Sequence, residues 1–308
     1  MDVPIEKKKK KRKWPWIIGL IILGIGMYVW NVYANLSSNI KSVHVEINRD
    51  KSELRVEKVN LEKKEPFSIL LLGVDQREND KGRSDTIIVL TVNANERSTK
   101  MLSIPRDTYT KIVGYGTSDK LNHAYAFGGT EMAMASVENL LDIPIDYVTE
   151  VNMEGFKDIV DAVGGITVTN MLAFKEDGYS FPKGKIKLDG EHALAFVRMR
   201  KEDPNGDFGR QERQKQLIQG ILKEGASVSS LWKYKDIFNA LGDNISTNLT
   251  FGQMMELQKK HKEALNSIEQ LYFNNGQGQT KNGIWYYMMN KKELKDVSTE
   301  LKDHLGLK

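Results

Sequence analysis

Arginine is scarce in this chain and unevenly placed. Of 45 basic residues 11 are Arg and 34 are Lys, and seven of the 11 arginines fall in three short segments. The first is Asp75-Gln76-Arg77 followed by Gly82-Arg83-Ser84-Asp85-Thr86. The second is Ser103-Ile104-Pro105-Arg106-Asp107. The third runs from Val197 to Gln214 and carries Arg198, Arg200, Arg210 and Arg213. A guanidinium is a rigid donor fork that grips phosphate oxygens in pairs, which an ammonium cannot do. An arginine cluster of this kind is the expected lining of a phosphate or diphosphate pocket. Asp75 and Asp85 stand among these arginines with no histidine nearby in sequence. Two carboxylates suit a hard, oxygen-seeking cation: Mg²⁺ is commonly held by one or two of them, with water and phosphate completing the shell, and Mn²⁺ is the alternative. Any single Asp–Arg pair here reads as an ordinary surface ion pair. Three arginine segments at predicted element ends, each with acids and glycines, point together to an anion site.

Other chemistries are excluded or disfavoured. Cysteine is absent, so there is no disulfide framework, thiol nucleophile or Cys-ligated zinc. The five histidines are far apart, no HExxH pair occurs, and there is neither a G-x-S-x-G elbow nor a Walker lysine. Asn122-His123-Ala124-Tyr125 reads as structural rather than as site lining. Formal net charge is +4, yet the first 13 residues hold seven bases and two acids, a net of +5, so the other 295 residues sum to about −1. A nucleic-acid-binding globule would spread its positive charge over a folded face, so no nucleic-acid partner is expected.

The elements that must position these residues follow from the apolar pattern. Phe67–Val74 is a continuous apolar run typical of a buried strand, Thr86–Val92 is β-branched, and Lys100–Ile104 is a third strand. Tyr147–Val151 and Ile166–Thr169 are strand-like, and Gln270–Phe273 and Gly283–Met288 are possible late strands. Helices are predicted at Gly129–Leu141, Met153–Val163, Gly190–Val197, Gln211–Glu224, Phe251–Leu265 and Lys291–Leu305. The alternation predicts an α/β fold, a three-layer α/β/α sandwich on a mixed central sheet. The three segments then sit at strand and helix ends, where α/β sheets bind ligands. Arg210, Arg213 and Gln214 are three and four apart and share one helix face, so all three are candidates for phosphate contacts. Arg198 and Arg200 share a face only in extended chain, so the helix before them should end by about Val197.

The N-terminal part reads differently. Trp14 to Ile40 is a run of 27 uncharged residues with an apolar heart at Trp14–Tyr33. A helix of roughly 20 residues spans a bilayer core, and the aromatic ends suit its interfaces. The preceding basic cluster places the N-terminus in the cytoplasm, and anionic lipid heads are its natural contact. The resulting division is a cytoplasmic tail at 1–13, a transmembrane helix at 14–34, an extracellular stalk at 35–65 and an extracellular domain at 66–308. The expected location is therefore the cell membrane, as a single-pass type II protein. A cleaved signal peptide ending near Ala34 is the rival, weakened by the length of the apolar run.

From about Pro66 to Gly220 the chain resembles the LytR–CpsA–Psr family of cell-envelope proteins, and within it the wall teichoic acid transferases. The resemblance rests on Leu-Leu-Gly-Val-Asp with Arg-Ser-Asp-Thr, then Ser-Ile-Pro-Arg-Asp, then Val-Arg-Met-Arg followed by Asp-Phe-Gly-Arg-Gln-Glu-Arg-Gln. It implies a transferase whose donor is a glycopolymer on a polyprenyl diphosphate and whose acceptor is peptidoglycan. It further implies that Asp75 and Asp85 hold Mg²⁺ and that Arg83, Arg106, Arg198, Arg200 and Arg210 surround the diphosphate, with Gln214 nearby. Arg83 and Arg106 are the expected catalytic charge partners, and Asp207 is the candidate general base, a role Asp75 or Asp85 could double. A non-catalytic lipid-diphosphate sensor and a polyprenyl diphosphate phosphohydrolase are the alternatives. Product analysis separates the three.

Overall fold

The computed structural model describes residue 47 and residues 49–75, 82–200, 202–227 and 244–307. The tail and the predicted membrane helix lie outside the described residues. Among the described residues no helix is long and apolar enough to cross a membrane.

The chain enters β1 (Phe67–Asp75), returns through β2 (Arg83–Asn93) and turns again into β3 (Ser98–Ser103). A small hairpin, β4 (Tyr109–Ile112) and β5 (Thr117–Lys120), leads straight into the long helix α1 (Leu121–Leu141). Next come β6 (Tyr147–Val151), α2 (Met153–Ala162) and β7 (Ile166–Asn170). The hairpin β8 (Phe174–Glu176) and β9 (Tyr179–Phe181) precedes β10 (Gly184–Leu188), α3 (Gly190–Arg198) and α4 (Asp207–Ser227). The last part comprises β11 (Ile245–Thr247), α5 (Phe251–Glu256), β12 (Ser267–Leu271), the hairpin β13 (Gln277–Lys281) and β14 (Ile284–Met288), and α6 (Lys291–His304).

Six strands form the central sheet in the order β11-β6-β1-β2-β3-β12. β1 is antiparallel to β2 and parallel to β6, and β3 is antiparallel to β2 and parallel to β12, so the sheet is mixed. The apolar run of β1 divides by the strand's period of two. Leu70, Leu72 and Val74 join a buried cluster with Met134, Val137 and Leu141 of α1 and Leu301 of α6. Ile69 and Leu71 meet Ile88 and Met101 together with Ile218 and Leu222 of α4. Both faces of β1 are therefore covered, which is why the run reads as continuously apolar.

The described part of the predicted stalk is docked onto the body. Arg49 donates to Glu138 at 2.6 Å and to the Ile145 carbonyl at 2.7 Å. Arg55 grips Asp146 in a fork of 3.0 and 2.7 Å, and Asp146 also accepts the Ser68 N–H at 2.9 Å. Residues 35–46 and 48 of the predicted stalk lie outside the described residues.

Two histidines are built into this frame. His304 shares hydrogen bonds with Thr91 Oγ1 at 2.7 Å and Ser98 Oγ at 2.9 Å. His261 bonds the Leu61 carbonyl at 2.9 Å and lies edge-on to Phe67. Burial pushes both imidazoles below their ordinary pKa. The unfolded chain therefore takes up these protons more readily. Their stabilisation is complete above about pH 6.5 and is lost as the pH falls through the lowered folded values. Urea denaturation is expected to give a falling unfolding free energy from about pH 7 to about pH 5, with a shallower fall in H304Q.

Candidate active site

Three local devices bring charge to one end of the sheet. The first is a β-bulge. Gly73 lies opposite Thr86 and Val74 opposite Ser84, so Asp85 is an extra residue in β2, and Arg83 then falls opposite Asp75. A bulge re-aims the side chain it carries. Gly73 is required there, because a Cβ would lie 2.9 Å from Thr86 Cβ.

The second device is the turn after β3. Thr108 donates its N–H at 3.0 Å and its hydroxyl at 2.6 Å to the Pro105 carbonyl, and so Arg106 and Asp107 sit at the corner. β14 secures the turn from the other side, with Tyr287 N–H donating to the Asp107 carbonyl at 2.9 Å.

The third device is the start of α1. Its first backbone donors are met by that same turn: Leu121 N–H reaches the Thr108 carbonyl at 2.8 Å and Asn122 N–H the Arg106 carbonyl at 3.1 Å. Farther along, α1 kinks where Gly129 takes φ +65 and ψ −153, a conformation open to glycine. Glu150 spans the kink, accepting from Tyr125 Oη at 3.1 Å on one side and from Thr130 Oγ1 on the other. Burial pushes the Glu150 carboxyl up.

These devices enclose a cavity of about 400 Å³ lined by Asp75, Arg83, Asp85, Arg106, Asp107, Lys120, Asn122 and His123. Arg106 Nη1 lies 2.9 Å from Asp85 Oδ1, and Lys120 Nζ lies 2.6 Å from Asp107 Oδ1. His123 Nδ1 is 2.8 Å from Asp119 Oδ2, whose other oxygen accepts the Tyr286 hydroxyl at 3.2 Å. Burial alone would raise the Asp119 carboxyl, but hydrogen bonds from His123 and the Lys120 N–H outweigh it and hold it low. Asn122 is buried, and among the described residues its Oδ1 has no hydrogen-bond partner. A buried acceptor left unmet costs about 1–3 kcal/mol, so a ligand donor is its expected partner.

Charge balance tests whether this cavity fits a divalent cation. Its lining carries three fixed cations, Arg83, Arg106 and Lys120, against three carboxylates, Asp75, Asp85 and Asp107. An anion entering a lining of zero net charge meets carboxylates that repel it. A cation held by Asp75 and Asp85 would remove that repulsion, so the donor set fits Mg²⁺.

The other predicted residues are placed apart from this lining. α3 ends at Arg198, one residue later than expected, and Met199 is extended at φ −55, ψ 130. Met199 is buried, so Arg198 and Arg200 on either side of it are exposed, with Arg198 Nη1 3.5 Å from Asp177. Arg210 and Gln214 are half-buried on α4. Asp207 opens α4, and its side chain lies outside the described residues.

Arg213 is turned into the protein. Its guanidinium donates to the Phe196 carbonyl at 3.0 Å, to the Met199 carbonyl and to Asp203, and it stacks near Phe174 and Phe196. All of these are internal partners, so Arg213 is a brace that holds the Arg198–Arg200 segment against α4 and is not part of the cavity lining. The i, i+3 spacing could not reveal which side of α4 faces the core.

A second cavity, of about 480 Å³, is lined in part by Ser103, Pro105, Phe208, Gln211, Lys215 and Tyr272. Lys215 Nζ sits 3.1 Å from Glu212 and 3.5 Å above the Tyr272 ring, and burial pushes its pKa down.

The LytR_cpsA_psr family matches residues 31–303. The chain belongs to the LytR–CpsA–Psr family. A relative from Bacillus subtilis (strain 168), named polyisoprenyl-teichoic acid–peptidoglycan teichoic acid transferase TagU, is 51% identical over 304 residues, covering 97% of this chain and 98% of its own. Among solved LytR–CpsA–Psr structures, TagT bound to LIIa-WTA superimposes with a TM-score of 0.74 at 35% identity, covering 86% of this chain and 100% of that one. A chain from Enterococcus faecalis described as a transcriptional regulator gives a TM-score of 0.75 at 43% identity, covering 82% and 92%. The mixed α/β fold on a central mixed sheet is that of these relatives.

The two arginine roles are separable by measurement. R213A leaves Asp203 buried without its cation and is expected to lose about 3–5 kcal/mol of stability. R198A removes a half-exposed side chain and should stay within about 0.5 kcal/mol of wild type. Urea denaturation of the two variants checks both.

Proposed function

We propose that this protein is a polyisoprenyl-teichoic acid–peptidoglycan teichoic acid transferase. Its near full-length similarity at 51% identity to a protein of that name is the observation that carries the reading. The mixed-charge cavity built from Asp75, Arg83, Asp85 and Arg106 supports it chemically. Transfer of a phosphoryl group needs positioning and charge neutralisation more than a covalent catalyst. Arg83 and Arg106 supply fixed donors for the diphosphate oxygens, and Lys120 adds a third cation. Asp85 holds the Arg106 guanidinium in place through the 2.9 Å pair. Mg²⁺ held by Asp75 and Asp85 would neutralise phosphate charge; Mn²⁺ would serve the same donors. Arg198, Arg200, Arg210 and Gln214 are outside this lining, and in this reading they would meet phosphate oxygens of a substrate that reaches beyond the cavity.

The donor in this reading is a teichoic acid polymer on a polyprenyl diphosphate, and the acceptor is peptidoglycan. The uncharged run Trp14–Tyr33 after the basic tail supports a single membrane helix, with a three-layer domain outside the cell and lipid around the anchor. A DNA-directed regulator is disfavoured by the near-zero net charge of the chain beyond residue 13.

R106A and D85A are each expected to cut transfer by about 100-fold or more through loss of a charge partner at the reacting phosphate. The measurement is incorporation of radiolabelled polymer into peptidoglycan by the full-length protein in detergent. Chelation of divalent metal should stop incorporation, and added Mg²⁺ should restore it. Near-normal transfer by both variants would remove this cavity from the reaction.

A further inference from the structure

The cavity holds two kinds of group, and only one kind suits a diphosphate. Arg83, Arg106 and Lys120 are donors, which phosphate oxygens accept from. Asn122 Oδ1 is a buried acceptor without a partner among the described residues. His123 beside it lines the same cavity, and its Nδ1 is 2.8 Å from Asp119 Oδ2. With Asp119 ionised, Nδ1 carries the hydrogen and donates it, and Nε2 is left with its lone pair. Both residues line the cavity, and an acceptor atom offers nothing to a phosphate oxygen. They offer a seat to a ligand that carries an O–H.

The orientation of His123 is fixed on several sides. Asp119 itself accepts from Tyr286 Oη at 3.2 Å and from the Lys120 N–H at 2.8 Å, so its carboxylate cannot swing away. The Phe127 ring packs 5.7 Å from the imidazole. The charged and titratable groups around it are Asp119, Lys120, Asp107, Arg106, Asp85, Asp75, Arg83 and Tyr286. Among the carboxylates of the cavity, Asp107 is engaged by Lys120 at 2.6 Å and Asp85 by Arg106 at 2.9 Å. Carboxylates paired with cations are poor bases. An imidazole held by a carboxylate is a good one near neutral pH.

We propose that His123 is the general base of the transfer, taking the proton of the attacking acceptor hydroxyl on Nε2 while Asp119 holds Nδ1–H. The inference rests on the transferase reading. In the step, the acceptor oxygen forms a new bond to the phosphorus that carries the polymer. The bridging P–O bond to the lipid phosphate breaks, and its electron pair leaves with polyprenyl phosphate. The acceptor proton ends on His123 and passes from there to solvent. Asp119 is a positioning residue, and Asn122 Oδ1 orients the incoming hydroxyl.

The test uses the full-length protein in detergent, a farnesyl-diphosphate-linked amino-sugar disaccharide as donor and peptidoglycan strands as acceptor. H123Q is expected to lower kcat by about 100-fold or more, with donor KM within about threefold of wild type. Its rate should also lose the fall on the acid side that protonation of a base gives the wild type. D119N should lower kcat while keeping that fall, because the base itself is still present. Added imidazole should restore part of the H123A rate, which a misfolded or merely destabilised variant would not allow. An H123Q rate within about threefold of wild type with an unchanged pH profile would overturn the assignment while leaving the transferase reading intact. No transfer by the wild-type protein itself would overturn that reading, and the assignment with it.

Discussion

The organisation of this protein turns on the pairing of Arg106 with Asp85. Each residue alone is a half-buried charge near one end of the sheet. Together, at 2.9 Å, they fix a donor fork beside a carboxylate at the mouth of one cavity. Everything that surrounds them acts on this geometry. The bulge in β2 supplies Asp85, the turn after β3 supplies Arg106, and the first turn of α1 bonds that turn's backbone. Because the Thr108 and Arg106 carbonyls accept the first N–H groups of α1, the arginine's turn is tied to the helix that carries His123.

Placing opposite charges close together without neutralising the pocket's purpose is an electrostatic compromise. The three cations and three carboxylates of the lining sum to zero formal charge. In the proposed reading, a cation held by Asp75 and Asp85 would turn that balanced lining into one that attracts phosphate. Binding of the metal and of the anionic substrate would then be coupled through charge.

Much of this was legible in the amino-acid sequence, for identifiable reasons. β1 was readable because both of its faces are buried, which gives an unbroken apolar run. The arginine segments stood out because lysine serves the rest of the surface. What was not legible was convergence. The β4–β5 hairpin is short and half-exposed, with no apolar pattern to mark it, yet it delivers Asp119 and Lys120 to the site. The apolar spacing predicts this helix only from Gly129, whereas α1 starts at Leu121 and carries Asn122 and His123. Arg213 and Arg210 are separated by one helical turn and have different surroundings, a distinction set by the tilt of α4 against Phe196 and Met199.

The most direct test is a crystal structure of the protein with Mn²⁺ and a short-chain polyprenyl diphosphate, read by anomalous scattering. The account predicts a metal peak between the Asp75 and Asp85 carboxylates, with diphosphate oxygens on Arg83 and Arg106. A diphosphate seated instead between Phe208 and Tyr272, with no metal at the two aspartates, would contradict it.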